Sequence, residues 1–134
     1  MDILFLIGRV MFSLVFILSG VGHLTKTDQL AGYADSKGVP SGRLLTQISG
    51  AALVLGGLGV LLGIWMDAAA LGLFIVLFLI AVFMHGFWKE SGEQRMMEMT
   101  QFNKDMGLAG GALLLFVFTR GAEDLPFTIV DGLF

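Results

Sequence analysis

Apolar residues fill the chain in four long blocks separated by shorter polar ones. The first runs from about Ile3 to Leu24, the second from about Leu44 to Trp65, the third from Ala68 to about Trp88, and the fourth from about Phe102 to Phe118. At about 1.5 Å of helical rise per residue, blocks of this length match a hydrocarbon core about 30 Å thick. The pattern predicts transmembrane helices over residues 3–24, 44–65, 68–88 and 102–118. The Met66-Asp67 connection is so short that the helices on either side of it are expected to be antiparallel neighbours. The expected fold is therefore all-α: an integral membrane four-helix bundle running up-down-up-down, one membrane domain over residues 1–134.

The polar connections are distinct in kind. In Thr25–Arg43, Thr27-Asp28 could cap a short interfacial helix, and Gly38-Val39-Pro40-Ser41-Gly42 would stop it; an ordered loop fits that stretch equally. Lys89–Gln101 carries mixed charge and reads as a polar loop. Pro126 argues against helix in the C-terminal tail, whose Phe127, Ile129, Val130, Leu133 and Phe134 could fold back on the bundle or the membrane surface. The first block differs from a secretory signal, which has a basic start and a shorter apolar core.

Composition agrees with a membrane setting: 56% of residues are hydrophobic and only 14% charged, whereas soluble domains carry roughly a quarter charged residues. No basic tail or basic-aromatic interleaving suggests nucleic acid. The absence of Cys removes disulfides, thiolate zinc sites and iron–sulfur clusters. Charge also sets an expected orientation. With four crossings, the side holding the termini carries Arg9 and Arg120, and the other carries Lys26, Lys37, Arg43, Lys89, Arg95 and Lys104. Two against six places the loops in the cytoplasm and both termini outside.

The candidate chemistry lies at the ends of these helices. Arg9 falls within a spanning helix, where a charge costs about 2.5–3.5 kcal/mol at mid-depth. It must be partnered inside or snorkel outward, and Asp67 is its expected partner, the two forming a structural intramembrane charge pair. On the fourth helix Asn103, Gly107, Gly110 and Leu114 form one stripe, and its glycines suggest a face turned into the bundle. His23, Gln47, His85 and Asn103 then gather at one polar end, with Trp88 beside them. Three uses of that end compete. The groups could simply bond one another and fix the packing. They could bind a small molecule, a quinone or lipid, with His85 and Asn103 donating hydrogen bonds and Trp88 stacking or anchoring. Or His23 and His85 could ligate haem b, for which two lone histidines are thin support. No carboxylate cluster accompanies the histidines, so no metal site is assigned, and no nucleophile elbow, phosphate loop or His-Glu-x-x-His motif marks a catalytic residue.

A resemblance adds to this picture. Gly8-Arg9 opening a helix that ends Leu18-Ser19-Gly20-Val21-Gly22-His23-Leu24 is similar to the start of the DoxX family of small bacterial membrane proteins. Gly32-Tyr33-Ala34, Lys37-Gly38-Val39-Pro40, Gly56-Gly57, His85-Gly86-Phe87-Trp88, and Asn103 with Gly107, Gly110 and Gly111 resemble the family's pattern further along. The resemblance implies a four-helix protein of the bacterial inner membrane, associated with membrane redox systems. One relative is described as a subunit of a thiosulfate:quinone oxidoreductase and others as partners of oxidative-stress enzymes. The chain would then be a component, at most a non-catalytic or accessory subunit, of a membrane redox or respiratory assembly. Its partners would be the bilayer and a protein of that assembly or further copies of itself. The alternative is a purely structural subunit without a small-molecule site. Two departures stand out. Many members carry a Glu just before the paired glycines, where this chain reads Gly50-Ala51-Ala52-Leu53-Val54-Leu55, and often a Lys where it has His23.

Overall fold

A computed structural model describes all residues 1–134 and shows an all-helical chain. Five α-helices follow one another: α1 Asp2–Thr25, α2 Thr27–Ser36, α3 Gly42–Leu62, α4 Met66–Met84 and α5 Gly92–Gly121, with a 3₁₀ turn at Phe87–Lys89 before α5. Three stretches are long and apolar enough to cross a membrane: α1, α3, and α4 continued through the 3₁₀ turn to Lys89. The expected four matching helices thus become three apolar spans, a short α2 and a longer, partly polar α5.

Two boundaries differ from expectation for physical reasons. The stretch 89–101 is helical from Gly92 onward. No Gly or Pro interrupts Glu93–Met106, and its Glu, Gln, Met, Arg and Lys residues favour helix. The α3–α4 connection falls at 63–65 rather than 66–67, because Gly63 (φ 67°) and Trp65 (φ 45°) both take the left-handed conformation that ends one helix and opens the next. At the other end of α3, the Asp35 carboxylate accepts from the Gly42 N–H at 3.2 Å, occupying one of the helix's free first-turn donors.

The helices pack in the order α1, α3, α4, α5, with α2 lying against the N-terminal part of α3. Phe16, Leu53, Val60, Leu73, Leu77, Ala109 and Ala112 form the core. Glycines set the closest approach of α1 and α3. A Cβ on Gly20 would lie 2.6 Å from the Gly50 carbonyl oxygen, and one on Gly57 would lie 2.8 Å from Ile17 Cγ1. Without a hydrophobic gain between helices in lipid, such close backbone contact is what van der Waals cohesion requires. The outward faces remain apolar: Leu18, Ile48, Leu55, Leu79 and Phe83 are all exposed, as lipid-facing positions are.

The tail does fold back. The N–H groups of Ile129 and Val130 donate to the Gly63 carbonyl, and the Trp65 N–H donates to the Val130 carbonyl at 3.3 Å. Two buried charges secure it, and they do not pair with each other as expected. Arg9 donates to the Val60 and Leu61 carbonyls at 3.0 and 2.9 Å and to the Pro126 and Phe127 carbonyls at 2.9 and 3.0 Å. Asp67 accepts from the N–H groups of Ala68, Leu133 and Phe134, each at 2.8 Å, and lies 3.9 Å from Arg120. The last carbonyls of α3 lack helical partners, so Arg9 finds acceptors without a carboxylate. Between α1 and α5 at this same end runs an apolar groove of about 440 Å³, bordered by Phe5, Gly8, Arg9 and Phe118.

The glycine seam is testable. Gly20→Leu should lower stability in detergent by roughly 1–3 kcal/mol through forced separation of α1 and α3. Gly107→Leu, where an added Cβ meets nothing within 4 Å, should be near neutral. Equal losses in chemical-denaturant titrations of the two variants would refute a close α1–α3 crossing.

Candidate functional site

The end of the molecule opposite the tail is polar, and its centre is Glu98. This residue stands in the second turn of α5, ahead of the helix's apolar part, and is 2% exposed. Four side chains converge on its carboxylate. The Tyr33 hydroxyl donates to Oε1. Gln94 Nε2 donates to the same oxygen at 2.9 Å from one helical turn earlier. Lys37 Nζ lies 2.9 Å from Oε1 and donates to Glu90 at 2.7 Å. His85 Nδ1 meets Oε2 at 2.7 Å. Tyr33 lies on α2 and Lys37 caps that helix four residues later, so one face of the short helix and its cap presents both, while His85 caps the C-terminus of α4.

A carboxylate taken out of water is stable only when its oxygens are fully answered. Burial alone would raise the Glu98 carboxyl, but hydrogen bonds from Tyr33, His85 and Lys37 outweigh it and hold it down at about 2. The same contacts act on the partners. Burial and then the bond to Glu98 push the Tyr33 phenol up to about 12. Burial would lower the Lys37 ammonium, yet hydrogen bonds to Glu90 and Glu98 carry it above its ordinary value.

An ionised carboxylate only accepts hydrogen bonds. The imidazole proton facing Glu98 is therefore on Nδ1, and Nδ1–H is the donor of that bond. The other ring nitrogen, Nε2, looks toward Asp105 Oδ2 at 3.7 Å. Asp105 lies two turns beyond Glu98 on the same face of α5, its side chain 7% exposed, with Lys104 Nζ 3.4 Å from Oδ1. An aromatic wall borders the cluster. Phe87, Trp88 and Phe102 meet edge to face with centroids 5.4–5.8 Å apart, and Phe102 sits between Glu98 and Asp105 along α5. Gly86 makes room within the chain, since a Cβ there would lie 2.8 Å from the Trp88 indole.

The residues singled out from sequence are placed unequally. His85 is at the centre and half-buried, and Trp88 is on the wall. His23 is nearby on α1, but its Nδ1 is engaged by the Ser49 hydroxyl at 3.0 Å. Gln47 and Asn103 are exposed. The inward-facing Asn103 stripe is thus corrected: Gly107 and Gly110 are exposed, with open space around them. The buried face of α5 is instead Glu98, Asp105, Ala109 and Ala112. Tyr33, Lys37, Glu98 and Asp105 were missed. The spacing of that buried face, 7, 4 and 3 residues, is the signal that would have found the two acids.

The ordering of Glu98 predicts an acid-sensitive protein. A carboxyl depressed in the fold contributes stability above its unfolded value, and that contribution is lost as pH falls through the folded one. Thermal stability in detergent should therefore fall between about pH 4.5 and about 2. Glu98→Gln, which takes the carboxylate from His85 and leaves Lys37 with Glu90 alone, should cost roughly 1–3 kcal/mol at neutral pH and flatten that acid limb. An acid limb of unchanged size in the variant would exclude Glu98 as its source.

Compared with known families, residues 4–86 match the DoxX family model. No curated protein and no solved structure matches the chain. The matched span takes in α1 to α4 with His85, and ends before Trp88 and the α5 acids.

Proposed function

Because the chain belongs to the DoxX family, we propose that it is a multi-pass component of a redox or respiratory assembly in the bacterial inner membrane, and that its polar end receives a quinone-class headgroup. The observation that carries this is the placement of His85. Its imidazole is oriented by a buried, ionised Glu98 and stands beside an aromatic wall at the end of apolar helices. Quinone-class ligands need polar contacts for the ring oxygens, a flat apolar surface for the ring and lipid for the tail, and sites of this type are mostly apolar with few fixed polar groups. Trp88, about half exposed at the membrane boundary, supplies the flat surface. In this role the chain positions a ligand for a partner and performs no redox step itself.

The same proposal includes a fourth crossing by α5. Its apolar half packs along α4 through Ala109 and Ala112, which gives the up-down-up-down bundle. The polar end then faces the cytoplasm with both termini outside, in keeping with the two-against-six distribution of Lys and Arg.

A second reading, an assembly subunit with no small-molecule site, draws on one observation: Tyr33, Lys37 and Gln94 direct their donors to acids of the same chain. The two separate experimentally. Protein purified in mild detergent should carry quinone extractable by organic solvent, and His85→Ala and Trp88→Ala should each reduce it at least about fivefold, the equivalent of ~1 kcal/mol. Wild-type protein free of quinone, or both variants loaded like wild type, would leave the assembly reading standing.

A further inference from the structure

Gln47 lies outside the Glu98 cluster and lines a different site. Beyond the contact of Gly20 with Gly50, α1 ends and the chain turns through Lys26 into α2. The turn leaves a cavity of about 340 Å³ between the end of α1, the start of α2 and the start of α3. Its polar groups are Lys26, Asp28, Gln29, Arg43 and Gln47, and Leu24 forms its apolar edge. Thr25 and Thr27 also line it, but their hydroxyls donate to the Val21 and His23 carbonyls. Arg43 pairs with Asp28, whereas Lys26 and Gln47 are exposed and meet no partner in the chain. Two cations against one acid leave the cavity with one positive charge. On the membrane side of it the surface is apolar. Below Gln47, Ala51 and Leu58 continue one exposed stripe of α3. Val21 and Leu24, also exposed, run beside it on α1, and a Cβ on Gly50 would lie 3.1 Å from Leu24 Cγ. The cavity thus stands at the ends of two membrane spans, with a lipid-facing seam leading away from it.

We propose that this cavity holds the headgroup of an anionic phospholipid of the phosphatidylglycerol type, with its acyl chains along the α1–α3 seam. The phosphodiester meets Lys26 and those Arg43 donors that Asp28 leaves free, since a guanidinium fork carries more donors than one carboxylate oxygen takes. The Gln47 amide, at the top of the seam, donates to a phosphate or ester oxygen. The headgroup's glycerol hydroxyls donate to Asp28, so the acid is answered as well. Net charge decides the class of lipid. A headgroup with one negative charge neutralises the cavity, whereas zwitterionic phosphatidylethanolamine brings its own ammonium to a site that is already cationic. Basic pockets between membrane helices hold anionic headgroups on these terms. The seam decides the source, because a free phosphate ester would leave it unused. The site is separate from the quinone-class end proposed above and does not depend on it.

The test uses the full chain in mild detergent with equimolar phosphatidylglycerol and phosphatidylethanolamine of identical acyl chains, read by native mass spectrometry. Wild type should retain phosphatidylglycerol at least about fivefold over phosphatidylethanolamine. Lys26→Gln should bring that preference below about twofold. Lys89→Gln makes the same charge change at another exposed lysine, outside the cavity, and should keep the preference. Excess glycerol phosphate should not displace the lipid. Phosphatidylglycerol with a photoreactive headgroup should label wild type within residues 24–29 and 43–47, a readout that needs no variant. Equal retention of the two lipids, equal losses in Lys26→Gln and Lys89→Gln, displacement by glycerol phosphate, or labelling outside the cavity would each overturn the proposal.

Discussion

In a hydrocarbon medium no water answers a buried polar group, so each one must find its partner within the chain. Arg9 shows how far that constraint reaches. One guanidinium on α1 takes up two last-turn carbonyls of α3 and two carbonyls of the tail, which ties three separate parts of the sequence at one point. Asp67 does the complementary work with backbone N–H groups from the start of α4 and the end of the chain. Neither charge needs the other, because helix ends and irregular backbone are themselves stocks of unpaired donors and acceptors. The tail's fold-back then follows from the same rule: it brings acceptors to Arg9 and donors to Asp67.

Glu98 obeys the constraint at the opposite end with side chains in place of backbone. Its four partners come from α2, from α5 itself and from the end of α4. That explains why α2 is an ordered helix lying against α3, since Tyr33 and Lys37 can reach one carboxylate only when stacked four residues apart on one face. It also explains why α5 begins ten residues before its apolar part. The polar turns carry Gln94 and Glu98 to the depth at which α2 and His85 can meet them.

The apolar blocks made much of this legible in the sequence. Length and hydropathy located α1, α3 and α4, and the resemblance at Gly8-Arg9 and His85-Gly86-Phe87-Trp88 pointed to the family that the match over 4–86 shows. Side-chain direction on α5 was the weak point. Glycines at 107 and 110 suggested an inward face, yet small residues mark a close approach only where a neighbour is present. Here α4 packs on Ala109 and Ala112, and Asn103 is about 200° around the helix from Asp105. Lys89–Gln101 looked like a solvated loop because charge in a mixed run usually is solvated. Within the polar run itself Glu98 looks like Glu93; only its register with Asp105, Ala109 and Ala112 sets it apart, and what buries it is a helix more than fifty residues earlier in the chain.

The stretch Gly50–Leu55 of α3 carries no acid, and the packing shows what occupies it. Gly50 is closed against α1, where a Cβ would meet His23 Cβ at 2.7 Å, and Leu53 is buried in the core. A carboxylate introduced at Gly50 would have to separate α1 from α3. α5 supplies two acids instead, from the far side of α4, with a histidine between them. Polarity at this end is therefore carried by α5 and the end of α4, and its two acids differ in their surroundings. Glu98 is saturated by donors and acts as a fixed charge that orients His85, whereas Asp105 lies 3.7 Å from the other ring nitrogen and 3.4 Å from Lys104 Nζ. His85 is thus held between two acids of α5, where the sequence had set it beside Asn103, which is exposed.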